Sequence, residues 1–147
     1  MLGCPGAGKS TWIEKNLGKD FPKVSRDIIR EKLGYAKEGE KKVCTYQQEK
    51  EVTLEENKEI DSLLSERISF VIDDTNLSTK FRNELIAKLK ETPEITIIGV
   101  HVVTPVDVCI KRREGQVPKE AIYITWARSN HIPKEDFDEF IEIEGIN

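Results

Sequence analysis

The chain has 147 residues, 37% of them apolar, which is enough for one domain over residues 1–147 that buries a core without metals or disulfides. Its 23 Lys/Arg against 27 Asp/Glu give a net charge of −4, which argues against coating nucleic acid through one broad basic field. No window reaches the roughly 18 apolar residues of a membrane span and no leader precedes the first motif, so a soluble, cytoplasmic protein with no membrane role is expected.

In chain order, a glycine-rich opening leads into a helix from Lys9 to Leu17, stopped by Gly18. Phe21–Ser25 reads as a short strand feeding a helix from Arg26 to Leu33, which Gly34 ends. Residues 36–45 are polar and read as a loop. Tyr46–Leu64 follows as a long, charge-rich helix, mostly solvated, with Val52, Leu54, Ile60, Leu63 and Leu64 as its apolar members. The apolar run Ile68–Ile72 stops abruptly at Asp73-Asp74, and helical periodicity resumes from Ser78 to Lys90. Ile95–Val103, nearly all β-branched, predicts a strand buried on both faces. Helices follow over Pro105–Arg113 and Lys119–Ser129, and Phe137–Ile143 alternates like a last strand.

Strands alternating with helices predict an α/β fold, a parallel sheet with helices on both faces and ligands at the carboxyl ends of the strands. One piece is short. A phosphate-binding loop should follow a buried strand, yet only Met1 and Leu2 precede Gly3. Either the sequence begins inside that strand, the favoured reading, or the sheet has a gap at its centre. Charge is uneven too: residues 1–35 carry seven Lys/Arg against four Asp/Glu, whereas residues 131–147 carry one Lys against six acids. Positive charge gathers beside the glycines, which suits a small anion or a nucleic-acid end.

Gly3-Cys4-Pro5-Gly6-Ala7-Gly8-Lys9-Ser10, followed by Thr11, fits G-x-x-x-x-G-K-[ST] at every fixed position. Glycines let backbone amides converge on phosphate oxygens, the following helix start adds a positive dipole, the lysine reaches the outer phosphates and the hydroxyl binds magnesium. The prediction is a site for ATP, or another nucleoside triphosphate, with Mg2+. A tight turn capping a helix would need neither the lysine nor the hydroxyl.

Ser25-Arg26-Asp27-Ile28-Ile29-Arg30 puts Asp27 and Arg30 three apart on one helix face. A carboxylate there can take a proton from an attacking hydroxyl, and an arginine one turn on can fork onto a phosphate. The same residues also make sense as a Ser25 N-cap, a dipole-matched Asp27 and a solvated Arg30. Asp73-Asp74-Thr75-Asn76 ends the apolar run where such sheets put an acid near the magnesium, although acids and asparagine also favour turns. Lys111-Arg112-Arg113 before Glu114-Gly115 is either a phosphate lid with a hinge or charge at a helix C-terminus. His101 and His131 read as core packing or a loop contact, and Trp12 and Trp126 as core or pocket wall, with Trp12 near the glycine loop. The odd set Cys4, Cys44 and Cys109 reads as reduced thiols without zinc-ligand spacing.

Taken together, GCPGAGKSTW, then SRDIIR, then VIDDTNL resemble the kinase domain of phage-type polynucleotide 5′-hydroxyl kinase over nearly the whole chain. The resemblance implies a P-loop kinase fold that transfers the γ-phosphate of ATP to a 5′-OH end of DNA or RNA. It makes Asp27 the general base and gives Lys9 and Arg113, or else Arg112, the donor phosphates. Arg26, Arg30, Asp74, Thr75 and Asn76 fall on the acceptor side, and Ser10 and Asp74 on the magnesium. A role in nucleic-acid repair, with a functional link to a ligase or phosphatase, goes with it. The segment between the arginines and Val117-Pro118 is shorter than in the phage enzyme, and no D-x-D-G-T phosphatase signature occurs in this chain. Two rivals share the same residues: a kinase of a small molecule such as a sugar acid or nucleoside, and a nucleotide-binding module that transfers nothing.

Overall fold

A computed structural model describes residues 1–35 and 44–145. Its elements are α1 (Lys9–Asn16), β1 (Lys23–Val24), α2 (Arg26–Lys32), α3 (Tyr46–Ser65), β2 (Val71–Ile72), α4 (Thr79–Lys90), β3 (Ile98–Val103), α5 (Val106–Arg112), α6 (Lys119–Ser129) and β4 (Glu139–Glu144). Most of the loop expected at 36–45, residues 36–43, lies outside the described residues. Its last two residues precede α3, where Thr45 and Gln48 form a reciprocal cap: the Gln48 amide donates to Thr45 Oγ1 and the Thr45 amide to Gln48 Oε1.

All strand pairs are parallel. β1 pairs with β2 in the register Lys23 to Val71, and β3 pairs with β4 from Ile98 opposite Glu139 to Val103 opposite Glu144. Residues 1–3 join the two pairs. The Leu2 amide donates to Val100 O at 2.7 Å and Leu2 O accepts from the Val102 amide at 2.9 Å. On the other side the Met1 nitrogen donates to Ile72 O at 3.0 Å and the Gly3 amide to Thr75 O at 3.2 Å. The two residues ahead of the loop therefore hold the centre of the sheet, and the gap considered from sequence is absent.

The strands are shorter than their apolar runs. Of Ile68–Ile72 only Val71 and Ile72 pair as a strand, since Arg67 turns the chain with a left-handed φ of 57° and Ile68 closes that turn onto Leu63 O. β3 is buried through Gly99–Val102, but Ile98 and Val103 are exposed, which corrects the expectation of a strand covered along its whole length. The last strand starts at Glu139, two residues later than expected, because Asp138 is occupied in bonding Ile97 through both its amide and its carboxylate.

Two core clusters result among the described residues. One holds Cys4, Ala7, Ile13, Val100, Val102, Cys109 and Ile122 around the glycine loop, α1, α5 and α6. The other holds Val24, Ile29, Val52, Ile60, Ile72 and Leu89 between β1, β2 and helices α2, α3 and α4. Among the described residues no helix is long and apolar enough to cross a membrane. On α3 the buried Ile60 and the 63% exposed Leu54 give an internal contrast. Ile60→Ala should cost about 2–5 kcal/mol in urea unfolding, whereas Leu54→Ala should stay within about 0.5 kcal/mol of the parent.

Candidate functional site: a phosphate loop beside a capped acidic turn

The loop over residues 3–8 depends on glycine at defined points. Gly6 has φ 84°, and a Cβ there would lie 2.7 Å from Cys109 O, so a side chain would push the loop off α5. Gly8, at φ 102°, ends the loop and starts α1, leaving the first amides of that helix directed into the concavity. The Ala7 carbonyl accepts from Thr104 Oγ1 at 2.7 Å, and Thr104 O accepts from Trp126 Nε1 at 3.2 Å, so α6 braces the loop through one threonine.

Half-buried Lys9 donates through Nζ to Gly3 O at 3.0 Å and Cys4 O at 3.1 Å. Desolvation pulls its pKa down, opposed by the charge of Asp73. Ser10 Oγ donates to Asp73 Oδ2 at 2.7 Å. Here the structure corrects the sequence reading: Asp73, not Asp74, faces the loop hydroxyl, because the strand alternation sends consecutive side chains opposite ways. A hydroxyl and a carboxylate side by side at a helix start fit magnesium, which takes few protein oxygens and completes its shell with phosphate and water. Among the described residues no three His, Cys, Asp or Glu gather as a fuller ligand set.

Asp74 points to α2. Its Oδ1 accepts from the Arg26 amide at 2.9 Å, taking the capping role expected of Ser25, whose hydroxyl makes no cap bond. Burial raises the Asp74 carboxyl to about 7, with nearby Glu56 adding to the rise and the Arg26 amide opposing it. Asn76 holds the following turn in the left-handed region at φ 51°, donating through Nδ2 to Met1 O at 2.8 Å while its carbonyl accepts from Arg82 Nη1. Thr75 contributes its carbonyl to Gly3, so Thr75 and Asn76 join the turn to the loop through the backbone and an amide side chain.

The arginines of α2 are held from α3. Arg30 Nε and Nη2 donate to the two Glu49 oxygens at 2.8 and 3.0 Å, and Nη1 donates to Asp27 at 3.0 Å. Arg26 donates to Glu49 at 2.8 Å and to Glu56 at 2.7 Å. These arginines bring Glu49 down to about 2. Glu49 and Glu56 were not singled out from sequence, although they flank buried Val52 at i, i+3, i+7 on one helical stripe, a position where solvated acids do not belong. The Asp27 side chain stays 62% exposed at the start of α2.

Arg112 and Arg113 both border the loop. Arg112 Nη1 donates to Gly6 O at 3.0 Å, while Arg113 Nη1 donates to Gln116 and its stem passes beside Gly6. They line a cavity of about 740 Å³ with Lys9, Ser10, Thr11 and Trp12. Gly115 follows them with φ 75°, in the left-handed region that favours glycine. His101, by contrast, is a packed strand residue with Nδ1 3.2 Å from Glu142.

The AAA domain family matches residues 1–140. No curated protein matches the chain. A chain in the solved Pnkp1/Rnl/Hen1 RNA repair complex is similar over 93% of this chain, with a TM-score of 0.75 and 25% identity. This chain covers 44% of that one, so it spans less than half the length of its structural neighbour.

The Asp74 shift sets a pH test. An acid whose folded pKa lies near 7 and whose unfolded pKa is near 3.8 holds its proton in the native state across that interval, so its contribution to stability falls as pH rises. Asp74→Asn keeps an oxygen for the Arg26 amide and removes the titration. Its Tm relative to the parent should rise between about pH 5 and about pH 7.5 in thermal melts; a constant difference would show that Asp74 does not titrate there.

Proposed function

The chain belongs to the AAA domain family and folds as a P-loop kinase domain of the polynucleotide-kinase type, and from that premise we propose that it transfers the γ-phosphate of ATP to the 5′-hydroxyl end of DNA or RNA. The observation that carries this reading is the pair of contacts made by consecutive acids: Asp73 on Ser10 of the phosphate loop and Asp74 on the amide of Arg26. They set the start of α2, and with it Asp27, beside the end of the strand that serves the triphosphate.

In this arrangement the loop amides and Lys9 hold the donor phosphates, and Arg112 and Arg113 close over them from the α5 end. Bound at Ser10 and Asp73, magnesium would neutralise phosphate charge. Exposed Asp27 takes the proton of the attacking hydroxyl as general base. Arg30 aligns Asp27 through their 3.0 Å bond and is the cation that would meet a phosphate of the acceptor. Catalysis then comes from positioning and charge neutralisation. The acidic net charge suits a protein that grips an end instead of a track. The RNA repair complex of the structural neighbour supports a setting in nucleic-acid repair, where the resemblance adds a ligase or phosphatase as functional partner, and a cytoplasmic location goes with that setting.

One observation favours a second reading. Glu49 already fills the Arg30 fork, so a small hydroxyl acceptor lacking a phosphate would need no rearrangement there.

Transfer of labelled γ-phosphate to short 5′-OH DNA and RNA, run beside a panel of small hydroxylated metabolites, separates the two. Labelled oligonucleotides are expected; labelling confined to a metabolite would establish the small-molecule reading. Asp27→Asn should lower kcat by about two to four orders of magnitude with ATP affinity unchanged. Parent-like turnover in that variant would point to a binding module or a different base.

Arg30→Ala should raise the acceptor KM more than it lowers kcat, with the ATP KM unmoved and thermal melts separating this from lost α2–α3 contact. An unchanged acceptor KM would remove Arg30 from the acceptor site.

A further inference from the structure

Two sulfurs lie under the phosphate loop, and phosphoryl transfer has no use for either. Cys4 Sγ and Cys109 Sγ are 3.3 Å apart although 105 positions separate them in sequence. Both are buried free thiols. Their surroundings are close too: the loop backbone at Gly6 is packed so tightly on Cys109 that a Cβ would stand 3.1 Å from the Cys109 Cα. A disulfide places its sulfurs about 2.05 Å apart, so the pair needs little more than about 1 Å of closure to bond.

A way in exists. A cavity of about 310 Å³, separate from the one bordered by the lid arginines, reaches Cys4, with His101, Thr104, Trp126 and Lys134 in its walls. It is ample for a molecule slightly larger than water. Chemistry favours one sulfur as the first to react. The hydrogen bond with Cys109, helped by the charge of Lys9 and opposed by burial, lowers the Cys4 thiol to about 7, while the same bond raises Cys109. Near neutral pH Cys4 therefore supplies the thiolate, which is the reactive form.

We propose that Cys4 and Cys109 are an oxidative modification site, converted by hydrogen peroxide into a disulfide that draws the phosphate loop onto α5 and blocks nucleotide binding. In the first step the Cys4 thiolate attacks one peroxide oxygen. An S–O bond forms, the O–O bond breaks, and the departing hydroxide takes a proton to become water, leaving a sulfenic acid. In the second step Cys109 sulfur attacks Cys4 sulfur. The S–S bond forms, the S–O bond breaks, and the leaving hydroxide takes the Cys109 proton as a second water. Two thiols lose two electrons in all and one peroxide gains them. The loop is the element that suffers, since Cys4 O holds one of the two Lys9 bonds and Gly6 is already in contact with α5.

The inhibitory consequence rests on the nucleotide-binding reading, but the bond itself does not, and the test reads them separately. Fully reduced protein is treated with hydrogen peroxide, digested without reductant and mapped by mass spectrometry. ATP binding is measured by calorimetry before treatment, after it and after dithiothreitol. The expected result is a Cys4–Cys109 peptide pair, an ATP affinity lowered at least about tenfold, one unit in log Kd, and recovery on reduction. Cys109→Ser and Cys109→Ala should bind ATP like the parent and keep that affinity through peroxide.

Thiols that stay reduced, Cys4 carried to a sulfinic acid with no crosslink, a crosslink to Cys44 instead, or a Cys4–Cys109 bond with ATP affinity unchanged would each overturn the proposal. A protein that forms the bond but binds no ATP even when reduced would uphold the modification site and end the nucleotide reading. If both Cys109 variants fail to fold, the peptide map and the reductant recovery of the parent still decide.

Discussion

Two adjacent carboxylates at the end of β2 hold the site together. Successive residues of an extended chain point opposite ways, and at Asp73 and Asp74 each direction meets a different helix start. Asp73 takes the hydroxyl of Ser10 on α1, and Asp74 takes the first amide of α2. Neither helix is well capped by its own neighbours: Gly8 has no side chain to offer and the Ser25 hydroxyl makes no cap bond. A turn fixed by the Asn76 side chain and the Arg82 guanidinium therefore supplies the cap that α2 lacks, ties the first turn of α1 through the Ser10 hydroxyl, and sets the spacing between the phosphate loop and the start of α2.

Behind that turn lies a layer of fixed charge. Arg26 and Arg30 are held by Glu49 and Glu56 from α3, and the effect on Glu49, brought down to about 2, shows how strongly the cations favour its ionised form. Partly exposed pairs of this sort contribute little to stability one by one. Their value here is orientational, because a bidentate fork fixes the plane of a guanidinium. Asp74, a few ångströms along the same chain of contacts, shifts the other way because burial and Glu56 oppose its charge. Two acids of one network are thus held in opposite protonation tendencies by their surroundings.

Much of this was legible in the sequence. The glycine loop, the six main helices and the parallel α/β class follow from motif and periodicity, and the helix over Lys119–Ser129 matches to the residue. Long-range pairing was not legible. Nothing local says which of two neighbouring acids faces Ser10, since strand parity depends on where the ladder begins, and β2 begins three residues later than its apolar run because of the turn at Arg67. Glu49 and Glu56 were hidden for a related reason: on a charge-rich helix two acids look solvated until the stripe that contains Val52 is known to face α2. The 3.3 Å meeting of Cys4 and Cys109 was equally invisible across 105 positions.

Borrowing a cap from another strand makes α2 a dependent element. A helix of seven residues is too short to persist unaided, so it inherits its existence from position 74. Shuffling experiments that graft residues 26–32 from a relative onto this scaffold must carry the partner at 74 along, or the transplanted segment arrives without its anchor and its aspartate loses its address.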